Sequence, residues 1–153
     1  MTQQFKFGGW KEGPKNQPVA QALTSVIKPG VSPTVTGQHI IPDGVPVFNQ
    51  QLSDCVANST AGALQIVKYL EDPSKAEALS RNFLYYNARA YSNDTVHDAG
   101  CYIHLAMASL QRLGICSERT QPYSLDFRKK PSMLAYREAD SSHLNKIENY
   151  YQI

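Results

Sequence analysis

One change of pattern governs what this chain can fold into. From Gly8 to Pro46, Gly and Pro recur and no period of 2 or 3.6 is sustained, apart from a short helical possibility around Val19 to Ile27. That stretch is expected to run extended and to wrap the rest. From Val47-Phe48 onward the pattern turns helical. Ala57, Ala61, Leu64 and Val67 recur at helical spacing, Ser53 or Asp54 can cap the start, and Pro73 ends the run. Cys55 therefore falls in the first turn of a helix. A thiol there meets the positive end of the helix dipole and backbone N–H groups without intrahelical partners, which favour thiolate. That is the physical requirement for a cysteine nucleophile; the alternative is a small buried residue of the helix.

The rest of the chain reads mainly as helices. Asp72 can cap a second helix over about Pro73 to Tyr91, with Leu79, Phe83, Tyr86 and Ala90 as its stripe. A third is expected over about Cys101 to Leu113, with Ile103, Ala106, Met107 and Leu110 on one face and Gly114 at the stop. A short fourth follows Pro131-Ser132. Ile147 to Ile153 is rich in Tyr and Ile with partial alternation and reads as a strand. No later strand exists to pair with it, so the sequence looks cut short or completed by another chain. The aromatic stretch Phe83, Tyr85, Tyr86 and Tyr91 lacks interleaved Arg or Lys, which makes it core packing and not a stacking platform for bases.

Composition excludes several function classes. At 153 residues with 42% apolar and 18% charged content, the chain can bury a real core. The formal charge of +2 is nearly balanced, and Arg128-Lys129-Lys130 is too short for an electrostatic groove, so no nucleic-acid partner is expected. Met1 to Trp10 lacks a basic start with an apolar run, and no segment has the apolar length of a membrane span; neither signal peptide nor membrane partner is expected. Three cysteines, Cys55, Cys101 and Cys116, are too few for a disulfide scaffold, which points to reduced thiols in the cytoplasm or another reducing compartment.

Pro46 to Ser59, with the core Ser53-Asp54-Cys55-Val56-Ala57-Asn58, resembles the nucleophile segment of papain-like cysteine peptidases in the form found in bacteria, archaea and some viruses. Leu79 to Arg89 resembles the family's second helix, and Asp98-Ala99-Gly100-Cys101-Tyr102-Ile103 its Gly-containing substrate loop. Leu110 to Gly114, Cys116-Ser117-Glu118, Pro122-Tyr123 and Lys130-Pro131-Ser132 follow in the family's order, and Phe7-Gly8-Gly9-Trp10 with Pro14 is similar to its N-terminal wrap.

The resemblance implies an α+β fold: a papain-like helical lobe, with the strand lobe missing or incomplete. Residues 1–46 would be the wrapping segment and 47–153 the helical lobe, ending at the first strand of the second lobe. It implies peptide-bond cleavage through an acyl-enzyme at Cys55, with Gln50, or Asn49 as the alternative, donating to the oxyanion. Gly100 and Ser53 would line the substrate site. The alternative is a non-catalytic papain-like module acting as a structural or binding protein in a larger assembly. The implied partners are a protein or peptide substrate and a complementary chain at the C-terminal strand; no cofactor is implied.

Three departures qualify the match. The family's oxyanion glutamine stands six positions before the cysteine, where this chain has Asn49, with Gln50 one residue later. Asp54 stands where the family often has Ser, and a carboxylate there disfavours a neighbouring thiolate. The family's histidine and Asn lie roughly 130–150 residues beyond the cysteine, whereas this chain ends at Ile153. His39, His97, His104 and His143 fall in parts of the pattern that do not supply the base, so the chain alone is expected to be a poor peptidase. His97, Cys101, His104 and Cys116 form a conceivable zinc set. Gly100 places His97 ahead of the helix and Cys116 lies past its end, so no metal is expected; the same separation argues against a Cys101–Cys116 disulfide.

Overall fold

A computed structural model describes residues 10–11, 21–22, 44–75, 77–141, 145–148 and 150–152. Among the described residues four α-helices carry the fold: α1 (Cys55–Glu71), α2 (Arg81–Ala90), α3 (Ile103–Arg112) and α4 (Met133–Ser141). Four two-residue strands accompany them among the same residues: β1 (Trp10–Lys11), β2 (Gln21–Ala22), β3 (Cys101–Tyr102) and β4 (Tyr151–Gln152). β1 pairs with β3 and β2 with β4, both parallel. Parallel pairing of such short strands adds little by itself, so the stability lies in the packing of the helices.

One cluster makes the core. Val56, Ala57 and Ala61 of α1, Phe83, Leu84, Tyr85 and Ala88 of α2, and Ala106 and Leu110 of α3 are buried together with Ile115, Cys116, Ala135 and Ala139. Small residues on α1 let α2 and α3 approach closely. Each large apolar side chain buried here contributes about 1.5–3 kcal/mol.

The expected elements shift in four places. The second helix does not run from Pro73. A 3-10 turn occupies Pro73–Lys75, and α2 begins at Arg81, after Ser80 has capped it by accepting the N–H of Phe83 at 3.1 Å. Residues 78–80 are instead drawn into extended pairing with the segment after α3: Ser80 N–H donates to the Cys116 carbonyl and Glu118 N–H to the Ala78 carbonyl. The third helix starts two residues late, because Cys101 and Tyr102 pair with β1. Where a short helix was possible around Val19 to Ile27, Gln21 and Ala22 are strand. They also supply β4 with the partner it was expected to lack: an earlier strand, not a later one.

The stripe of α1 is rotated too. Val67, expected in the core, is 49% exposed, while Gln65 and Lys68 are buried. Lys68 has internal partners and Gln65 one, its Nε2 being buried without a hydrogen-bond partner. Gln65 Oε1 accepts the N–H of Leu79, and Lys68 Nζ donates to Asn145 Oδ1 and stands 3.6 Å from Glu77. On α3, Ile103 is likewise exposed while Ala106 and Leu110 are buried.

Gly114 ends α3 as its position suggested, with φ +75°. A Cβ there would stand 2.5 Å from the Ala139 carbonyl oxygen, so backbone and not a flexible side chain blocks it. Gly114→Ala is therefore expected to cost about 2 kcal/mol or more in urea denaturation. A loss below about 0.5 kcal/mol would show that the α3–α4 junction yields.

Candidate active site

The loop over residues 48–54 delivers the chain into α1, and several polar groups of its backbone are held by hydrogen bonds to residues outside it. Gln51 and Leu52 donate their N–H groups to the Tyr123 hydroxyl at 3.1 and 3.3 Å, and Ser53 N–H donates to Asp98 Oδ1 at 2.9 Å. The carbonyl of Asn49 accepts from Arg81 Nη1, and that of Asp54 accepts from both the backbone and side-chain amides of Asn58. Cys55 is the first residue of α1 and is half-buried, its flank packed against the core cluster. Neither Cys101 nor Cys116 is accessible, and none of the three cysteines forms a disulfide. Burial, and after it the Glu138 carboxylate, pushes the Cys116 thiol up to about 12. It is an inert core residue.

Gly100 is joined to the same framework. Its N–H donates to the Tyr85 hydroxyl at 3.1 Å, and that hydroxyl donates to Asp98 Oδ1 at 2.8 Å, the oxygen that also receives Ser53 N–H. Two side chains thus tie the residue next but one before Cys55 to the Gly100 turn. Burial, then the hydrogen bond to Asp98, holds the Tyr85 phenol far above its ordinary value, so it stays protonated. Gly100 has φ +79°, a backbone conformation that favours glycine.

Of the two candidate oxyanion donors, Gln50 is half-buried and donates its Nε2 to the carbonyl of Leu52 at 2.9 Å; Asn49 is exposed. Ser53 is buried and meets the framework through its backbone. Asp54 occupies the N-cap position without making a side-chain capping bond. Its carboxyl is fully buried, and neither oxygen completes a hydrogen bond. Burial raises its pKa from 3.8 to about 6, against the opposing pull of the nearby Tyr123 hydroxyl and the Arg81 charge.

Of the histidines, His97 and His104 are among the described residues. His97 is 74% exposed, its Nδ1 2.8 Å from Asp94 Oδ1, and His104 lies beside the Tyr102 ring, its pKa lowered by burial. Neither hydrogen-bonds the Cys55 thiol; His39 and His143 lie outside the described residues. Among the described residues no three His, Cys, Asp or Glu side chains converge on a metal-sized site, and no helix is long and apolar enough to cross a membrane.

Sequence reasoning missed the residues behind the loop. Asp98 was legible only as part of the Gly-containing loop, Tyr85 as core, and Tyr123 as part of a Pro-Tyr pair. Arg81 was legible only as one residue of the second-helix stretch, whereas burial to 4% exposure marks an arginine with a committed partner set.

No protein-family model matches the chain. An uncharacterised peptidase C1-like protein of Acanthamoeba polyphaga mimivirus is 31% identical over 122 residues, 76% of this chain. The chain spans 39% of that viral protein's length. Among solved structures, xylellain, a cysteine protease from Xylella fastidiosa, superposes with a TM-score of 0.63 at 25% identity, over 99% of this chain and 61% of xylellain. By sequence and by architecture, the chain belongs to the papain-like cysteine peptidase family.

Proposed function

We propose that this chain is the nucleophile-bearing part of a cysteine peptidase acting on protein or peptide substrates. Residues 1–46 serve as its wrapping segment and 47–153 as its helical lobe. Cys55 Sγ attacks the scissile carbonyl carbon, the carbon–nitrogen bond breaks as the amine leaves with a proton, and water then releases the acyl group from sulfur. The Cys55 N–H and the Gln50 side chain, with Asn49 as the alternative, face the oxyanion, and Gly100 and Ser53 border the substrate. The base that moves the proton is supplied by a complementary half of the fold, since His97 and His104 are engaged elsewhere. One observation carries the reading: the half-exposed thiol opens α1, and residues 53 and 100 hang from the same Asp98–Tyr85 pair.

Alkylation with iodoacetamide from pH 4 to 9, read by intact mass, tests it. One thiol is expected to react while the chain is folded, since Cys101 and Cys116 are buried, and the reaction disappears in Cys55→Ala. Fast reaction persisting at acidic pH supports the peptidase. A rate that rises only near the free-thiol value of about 8.5 makes this chain a catalytic fragment or a retired fold, and the non-catalytic papain-like binding module becomes the leading reading.

A further inference from the structure

Arg81 opens α2 and does not touch Cys55, yet its guanidinium reaches both peptide groups on which the oxyanion donors depend. One face lies 4.2 Å from the Phe48 ring centroid and the other 3.9 Å from that of Tyr123. Nη2 donates to Glu118 Oε1 at 3.0 Å, and Glu118 also accepts the backbone N–H groups of Arg81 and Tyr123, which fixes the fork from its far end. Nη1 is divided between the Asn49 carbonyl at 3.4 Å and Asn58 Oδ1 at 3.1 Å.

Those two contacts act through peptide planes. The Asn49 carbonyl belongs to the peptide group whose N–H is that of Gln50, so holding it sets the backbone from which the Gln50 side chain projects. Asn58, held through Oδ1 by Arg81, donates its Nδ2 at 3.1 Å to the Asp54 carbonyl, whose peptide group carries the N–H of Cys55. The Tyr123 ring that stacks on Arg81 also presents the hydroxyl that receives Gln51 and Leu52 N–H. One buried, planar, always charged group therefore fixes the loop at both ends. Lysine offers neither the fork nor the flat faces to do so.

Resting on the peptidase reading, we infer that Arg81 is a positioning residue: acting through Asn49 and Asn58, it sets the Gln50 and Cys55 oxyanion donors from behind the loop.

The test uses the full chain and three readouts. Hydrogen exchange reports the loop. In Arg81→Lys the amides of Gln51 and Leu52 are expected to exchange at least tenfold faster, while those of α3 keep their wild-type rates. The second readout is inhibition by an N-acetylated dipeptide aldehyde, whose carbon takes the Cys55 sulfur and whose oxygen, taking the thiol proton, lies where the oxyanion would. Affinity is expected to fall roughly tenfold. The third is the iodoacetamide rate, which needs only the thiol and is expected to change less than twofold.

Phe48→Leu removes one stacking face from a half-exposed site and should give the same pattern more weakly, which keeps the test open should Arg81→Lys fold poorly. Unchanged loop exchange in both variants overturns the inference. So does a parallel fall in aldehyde affinity and alkylation, because Arg81 would then act on the thiol. Should wild type bind no aldehyde while its loop still loosens in Arg81→Lys, the peptidase reading fails and the structural part of the inference stands.

Discussion

Arg89→Met is expected to remove at least about 3 kcal/mol of folding stability, measured by urea denaturation at neutral pH. Arg89 is buried on α2 between the rings of Tyr85 and Phe127, at 4.1 and 5.1 Å to their centroids. Nη1 donates to the carbonyls of Thr95 and His97 at 3.1 and 3.0 Å, and Nη2 to that of Phe127. Methionine fills part of the volume and supplies no donor, so three carbonyls lose a charged partner at once. Charge-assisted hydrogen bonds are worth about 1.5–3 kcal/mol each and are not additive, which sets the lower figure. The segment released is the one that leads through Asp98 to Gly100, so proteolytic nicking between residues 92 and 98 should accompany the loss. A variant weaker by less than about 1 kcal/mol, with no new cleavage, would mean that the rings alone hold this segment.

The second large effect is a pH dependence traced to Asp54. Its carboxyl binds a proton more tightly in the folded chain, at about 6, than at its ordinary 3.8. Stability from this group is thus complete below pH 3.8, declines between there and pH 6, and is absent above. The span of about two pH units corresponds to about 3 kcal/mol. Asp54→Asn removes the titration and keeps the shape, so wild type should lose about 2 kcal/mol relative to the variant between pH 4 and pH 7. Parallel stability curves for the two proteins across that interval would rule out a buried, unanswered carboxylate. The position adjoins Cys55 in the chain, so an ionised Asp54 places a negative charge next to the residue that opens α1.

Much of this was legible from residue order. The helical spacing after Ser53, the stop at Gly114 and the apolar run after Pro131-Ser132 depend on periodicity and backbone permission, which are local, and α1, α3 and α4 follow them. Cys55 at the opening of α1 is local too. The stretch from Pro73 to Leu79 was not legible, because helical propensity there competes with pairing to Cys116–Glu118, residues almost forty positions away, and the distant pairing prevails. The α1 stripe was misread for a similar reason. Hydropathy puts Val67 inside and Lys68 outside, but Asn145 and Glu77 supply Lys68 with buried partners that no pattern within the helix announces.

The same division runs through the site. The sequence by itself determined that a cysteine would stand at a helix start behind a loop of amide side chains, with a glycine turn further on, because caps, dipoles and glycine conformations are set within a few residues. Only the tertiary structure decided how those pieces are held together. Asp98 and Tyr85 join Ser53 to Gly100, and Arg81 reaches Asn49 and Asn58 from another helix. Hydrogen bonds between residues 13 to 45 positions apart depend on which faces meet when the core closes, and that is settled by packing rather than by any local run of residues.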